Sequence, residues 1–163
     1  NAALLGAEKV IAIEPNPTIL DRLNDNIALN GLSSKIIVRD VAVGAEKGVV
    51  NLTIADSDFG SSSIVDHSVG VNQISVQILP LLDILRTETV ATVSVIKIDI
   101  EGMEDRALFP YFEGIKPENY PKLIVMEDGI NNHWERNILR WLLANGYNTT
   151  ERTRGNVMLT LAN

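Results

Sequence analysis

Val95-Ile96-Lys97-Ile98-Asp99-Ile100-Glu101-Gly102 is the stretch on which the fold of this chain turns. With Val93 and Ser94 before it, this is the strongest strand signal in the sequence: β-branched residues dominate, and a glycine stops the run. Lys97, Asp99 and Glu101 fall at positions i, i+2 and i+4. An extended backbone through Glu101 places all three on one face with Val95, and Ile96, Ile98 and Ile100 on the other. Charges on a buried strand are expensive unless they pair or meet a ligand. Two readings follow: a Lys97–Asp99 ion pair at the strand end, or a polar edge that orients a ligand hydroxyl and supplies a general base.

Upstream, Val10-Ile11-Ala12-Ile13 reads as a buried strand that ends at Glu14-Pro15-Asn16-Pro17. Asn16 suits a helix cap, and Pro17 suits the first helical position, where its missing N–H is no loss. Ile19, Leu20, Leu23 and Ile27 give a helix over about 18–30 one apolar face, and Gly31 closes it. Ile36-Ile37-Val38, ending at Arg39-Asp40, completes a strand–helix–strand unit. Val41 to Gly44 leaves that sheet. Val49 to Ile54 and Ile74 to Ile78 are extended, Leu81 to Arg86 is a short helix, and Asp56 to Gly70 reads as a long Ser- and Gly-rich loop.

Downstream, a helix is expected from Met103 to Phe109, broken by Pro110. Leu123-Ile124-Val125-Met126 is a further buried strand ending at Glu127-Asp128-Gly129. Asn132 and Glu135 have the spacing of a capping box for a helix whose apolar face carries Trp134, Ile138, Trp141 and Leu142. Tyr147 to Thr153 and Asn156 to Leu161 flank Arg154-Gly155 as an antiparallel hairpin. Strands alternating with helices give an α/β class with a mostly parallel, Rossmann-like sheet and an antiparallel pair at its C-terminal edge.

Composition fits one domain over residues 1–163: 45% hydrophobic and 21% charged residues, with no repeat and no linker. The net charge of −7 offers no basic stripe for nucleic acid. No apolar run is long enough for a bilayer, no leader is visible, and the expected compartment is the cytoplasm. Cysteine is absent, which excludes disulfides and thiolate metal sites. His67 and His133, the only histidines, are weak evidence for a metal, and none is expected.

Ligands of open α/β sheets sit outside the carboxyl ends of the strands. Acids stand at those ends here: Glu14, Asp40, Asp99 with Glu101, and Glu127. A carboxylate after the strand ending at Ile13 suits the two hydroxyls of a ribose, and it also fits a solvated strand end. One of the acids of the 97–101 segment, or Glu127, could serve as base. His133 near Glu127 is a candidate substrate contact. The Gly60-to-Ser63 loop, with Ser62, either closes over substrate or is simply solvated. Trp134 and Trp141 read as core rather than as a sugar platform.

Several segments in order resemble the FkbM family of methyltransferases. They are Glu14-Pro15-Asn16-Pro17, Asn26-Ile27-Ala28-Leu29-Asn30-Gly31, Val41-Ala42-Val43-Gly44, Gly60-Ser61-Ser62-Ser63 and Lys97-Ile98-Asp99-Ile100-Glu101-Gly102. Leu82-Asp83 and Gly146-Tyr147 are similar too, so the resemblance covers nearly the whole chain. It implies a class I, S-adenosylmethionine-dependent O-methyltransferase acting on a small-molecule or glycan hydroxyl. By it, Glu14, with Pro15 and Asn16, would hold the cofactor ribose. Asp40, with Val41, would lie near adenine, and Lys97, Asp99 and Glu101 would border the acceptor. Glu127, His133 and Ser62 complete the expected substrate side, and a homo-oligomer is a further possibility.

The family begins with a strand and a glycine-rich loop, whereas this sequence opens in what matches the tail of the following helix, Ala2 to Ala7. The domain is therefore expected to be N-terminally incomplete, with its first strand missing and with weak cofactor binding on its own. Two alternatives stay open: a dinucleotide-binding domain, which would use Glu14 equally well, and a non-catalytic interaction module of the same fold. The terminal hairpin favours the methyltransferase variant over the plain dinucleotide fold.

Overall fold

A computed structural model describes residues 2–54, 62–63, 72–129 and 131–162. The chain divides into two compact units, one of residues 1–43 and 47–78, the other of residues 44–46 and 79–163.

In the first unit, β1 (Val10–Ile13) and β2 (Ile36–Arg39) pair in parallel, with Ile13 opposite Arg39. Between them runs α1 (Pro17–Leu29). Its start is set as expected: Asn16 caps it by accepting from the Thr18 N–H at 3.0 Å, and Pro17 opens the helix. Gly31, at φ +65°, takes the left-handed turn that ends it. Ile27, on the apolar face, is buried. The opening residues form a turn rather than the tail of a helix: the Leu5 and Ala7 amides both donate to the Ala2 carbonyl, and Gly6 at φ +106° breaks any continuation.

The chain leaves β2 through β3 (Ala42–Val43) and enters a second sheet with β4 (Gly48–Ile54), β5 (Ser62–Ser63) and β6 (Asn72–Leu79), in the order β3-β6-β4-β5. β4 pairs antiparallel with both β5 and β6. Ser62 thus sits on a strand, opposite Ile54, and not in an open loop. The remainder of the 56–70 segment, including His67, lies outside the described residues.

In the second unit, α2 (Leu81–Thr87) leads to a sheet of β7 (Val95–Ile98), β8 (Leu123–Glu127), β9 (Tyr147–Arg152) and β10 (Asn156–Leu161), in the order β7-β8-β10-β9. β7 and β8 are parallel, and β10 is antiparallel to both β8 and β9. The terminal hairpin is therefore present, with its last strand inserted beside β8. The expectation of a mostly parallel sheet does not hold. β4, β5 and β6 build an antiparallel layer of their own, and the hairpin adds more antiparallel pairing. The fold is mixed α/β.

Two helix boundaries also differ from expectation. α3 (Glu104–Glu113) runs through Pro110 rather than stopping before it. Proline removes one helical N–H, but Tyr111 and Phe112 beyond it are buried in an aromatic cluster that outweighs the loss. α4 (Ile138–Ala144) starts later than the Asn132–Glu135 spacing predicts, because Asn137 is the cap and accepts from the Arg140 N–H at 2.8 Å. Trp134 consequently lies before the helix, and only Trp141 joins the cluster, 5.1 Å from the Phe112 ring centroid.

Candidate active site

Each unit presents acids at the carboxyl ends of its parallel strands. In the first unit the β1–β2 register sets Glu14 and Asp40 side by side, one residue beyond the last paired positions. The Glu14 N–H donates to the Arg39 carbonyl at 3.0 Å, which carries the ladder up to the acid. Glu14 Oε1 accepts from the Asn16 N–H at 2.8 Å. Burial raises the Glu14 carboxyl above its ordinary range, and the Asn16 hydrogen bond works in the opposite direction. Pro15 is half-buried and shapes the turn. Asn16 is 2% exposed and its side chain caps α1, so its role visible here is to hold the turn that aims Glu14. Val41 is buried, whereas Asp40 is exposed.

In the second unit the decisive stretch behaves differently from a fully extended strand. β7 ends at Ile98, and Glu101 and Gly102 take φ of +57° and +89°. Glu101 therefore does not share a strand face with Lys97 and Asp99. The cause is Glu104, whose Oε1 accepts from the Ile100 N–H at 2.9 Å and the Gly102 N–H at 3.4 Å, turning these amides away from any ladder. Nor is β7 buried on both faces: Ile96 and Ile98 are buried, but Val95 is 53% exposed. Lys97 and Asp99 form the ion pair that the spacing allowed, at 3.2 Å between exposed side chains. An exposed pair of this kind contributes little to stability.

The structure brings Asp99, Glu101 and Glu127 together. Glu127 closes β8, parallel to β7, and its carboxyl is pushed up to about 7 by burial first, then by the charges of Asp99, Glu101 and Glu104 and by a hydrogen bond with Asp99. Glu127 Oε2 and Asn156 Oδ1 are buried acceptors without a hydrogen-bond donor among the described residues. Their residues face each other across β8 and β10. Asp128, next along, is ion-paired with Arg152. His133 ends a 3₁₀ turn over Asn131–His133.

Two residues that the sequence reading passed over hold this edge. Glu104 and Asp105 are 1% and 2% exposed. Glu104 Oε2 accepts from Trp134 Nε1 at 2.8 Å, and Asp105 Oδ2 accepts from the Glu135 and Arg136 amides at 2.8 and 3.0 Å. Their only sequence signal is a pair of acids opening a helix after Gly102. The helix dipole explains such a pair without any burial.

Among the described residues no group of three or more His, Cys, Asp or Glu could hold a metal ion. No helix among them is long and apolar enough to cross a membrane.

One solved structure, methyltransferase FkbM from Methylobacillus flagellatus KT, superimposes with a TM-score of 0.59 at 20% identity, over 98% of this chain and 39% of that one. The chain thus spans well under half the length of that protein. The family model of the methyltransferase FkbM domain matches residues 2–149. The chain belongs to the FkbM methyltransferase family. No curated protein matches it.

Proposed function

We propose that this domain takes part in S-adenosylmethionine-dependent methyl transfer to a hydroxyl of a small-molecule or glycan acceptor, with Glu127 receiving the hydroxyl proton. The observation that carries the reading is the Asp99–Glu127 pair, with Glu127 poised at about 7 at the carboxyl end of a parallel strand. A base is most effective when its pKa lies near the working pH. When bound, S-adenosylmethionine supplies a methyl group on a positively charged sulfur.

The residues present suit that cofactor. Glu14 is a half-buried carboxylate whose Oε1 is fixed by the Asn16 amide, which leaves Oε2 to accept from a ribose diol. Asp40, beside it in register, would take the adenine amino group in this reading. On the acceptor side, Asp99 and Glu101 border the hydroxyl, Lys97 steadies Asp99, and His133 is a further contact.

Methyl transfer from labelled cofactor to a panel of hydroxylated acceptors, with the full-length protein, tests the reaction. Transfer to none of them, with the cofactor bound, sinks the catalytic reading. The cofactor assignment has its own test. Glu14→Ala removes charge-assisted hydrogen bonds and should weaken cofactor binding by about 10- to 100-fold by calorimetry. Unchanged affinity would show that Glu14 does not hold the ribose.

A further inference from the structure

Glu127 Oε2 and Asn156 Oδ1 are both buried, and neither has a hydrogen-bond donor among the described residues. Buried acceptors in native proteins are almost always satisfied, because an oxygen stripped of water and given nothing in return is costly. These two oxygens belong to one place. Glu127 closes β8 and Asn156 opens β10, and the two residues are directly opposite in the antiparallel register. Opposite residues send their side chains to the same face, with Cβ atoms about 5 Å apart. Side-chain donors of this edge are engaged elsewhere: Lys97 is paired with Asp99, Arg152 with Asp128, and the Trp134 indole donates to Glu104. Two residues beyond Glu127 comes Gly129, where a Cβ would lie 3.8 Å from Glu127 Oε1. No side chain covers the carboxyl from that position.

The pair offers acceptors only, since a carboxylate oxygen and an asparagine amide oxygen both take hydrogen bonds. A partner must therefore bring a donor to each. One hydroxyl carries one hydrogen, so a hydroxyl that gives its proton to Glu127 has none left for Asn156. The second donor has to sit beside it on the same molecule.

We propose that Asn156 determines specificity: its Oδ1 accepts from a second hydroxyl adjacent to the one facing Glu127 Oε2, so the domain selects vicinal diols, as in sugars and other polyols, over isolated alcohols. This deepens the reading of Glu127 as proton acceptor and rests on it. The reacting hydroxyl passes its proton to Glu127. The neighbouring hydroxyl keeps its own and orients the acceptor.

The test needs no turnover. In the full-length protein with S-adenosylhomocysteine present, carbon-13 NMR follows the Glu127 carboxyl and the Asn156 side-chain carbonyl as cis-1,2-cyclohexanediol or cyclohexanol is added. The diol should move both resonances along one saturation curve and bind roughly 5- to 10-fold more tightly than cyclohexanol. Asn156→Leu keeps the size and removes the acceptor, so the diol should lose its advantage in that variant. Equal binding of the two probes to the wild type overturns the proposal, as does the absence of a saturable shift. A diol preference that survives Asn156→Leu overturns it too. So does a hydrogen-bond coupling from the Asn156 NH₂ group to the Glu127 carboxyl, because the amide would then satisfy that carboxyl itself. The wild-type comparison of the two probes decides the matter if Asn156→Leu does not fold.

This outcome is separable from the role of Glu127 in catalysis. If the diol preference holds while Glu127→Gln keeps full methyl transfer, Asn156 selects the acceptor and Glu127 is not the base. If methyl transfer depends on Glu127 while both probes bind alike, the base stands and the role of Asn156 falls.

Discussion

Glu127→Gln is expected to remove most of the methyl transfer while making the protein more stable at neutral pH. Loss of a positioned general base lowers kcat by about 10²- to 10⁴-fold. The wild-type rate should rise with pH through a step near 7, where Glu127 gives up its proton, and the variant should lack that step. The stability effect has the opposite sign. An unfolded glutamate titrates near 4.5, and the folded one at about 7. Between those values the unfolded chain releases a proton that the folded chain keeps. The contribution of Glu127 to stability is thus intact below about 4.5 and is lost as pH rises through about 7. Glutamine is insensitive to this window. Allowing for the partial exposure of Glu127, the variant should gain on the order of 1–2 kcal/mol at pH 7 and nothing at pH 4. Chemical denaturation at both pH values reads the difference. A variant that is less stable at pH 7, or one that keeps full kcat, contradicts the assignment.

The second large effect is structural. Phe112 is 2% exposed and meets four other rings, with centroids at 4.9 Å to Tyr120, 5.1 Å to Trp141, 5.3 Å to Tyr111 and 6.2 Å to Tyr147. Most of these contacts are edge-on, the arrangement that adds to simple burial. The Tyr147 hydroxyl is itself tied to the Pro121 carbonyl at 2.7 Å, so the cluster cannot easily collapse into a void. Phe112→Ala should therefore cost about 3–5 kcal/mol, a large share of the stability of any domain. Phe112→Leu, which keeps most of the volume, should cost roughly half as much or less. Urea denaturation midpoints measure both. Loss of less than about 1 kcal/mol in the alanine variant would mean that α3 is held by something other than this cluster. The consequence extends beyond stability, because α3 begins with Glu104 and Asp105.

The parts of the fold that were legible beforehand are those set by local chemistry. Pro15, Asn16 and Pro17 stop one element and start the next whatever surrounds them, and Gly31 ends α1 for the same reason. The β1–β2 pairing and the C-terminal hairpin followed from patterning alone. Tertiary contacts decided the rest. Pro110 reads as a stop because the ring removes a hydrogen bond, and only the burial of Phe112 reverses that. Asn132 and Asn137 offer equal capping chemistry. The choice fell to Asn137 because Asp105 holds the Glu135 and Arg136 amides outside the helix. The acids of the candidate site were legible as strand ends. Which of them would carry a proton was not, since that depends on how closely Asp99, Glu101, Glu104 and Glu127 approach.

The left-handed backbone at Glu101 bears on how this domain can be engineered. Its φ of +57° is one that glycine adopts freely and that a glutamate adopts at a cost of about 1–2 kcal/mol. A thermostabilisation library would therefore rank Glu101→Gly among its best choices, with a net gain of about 0.5–1 kcal/mol once the greater freedom of the unfolded glycine is counted. A screen for turnover run on the same library should discard that variant, because it deletes a carboxylate beside Asp99 and Glu127. Retention of full turnover together with a raised melting temperature would show that the side chain at 101 is dispensable and that its backbone strain has no part in function.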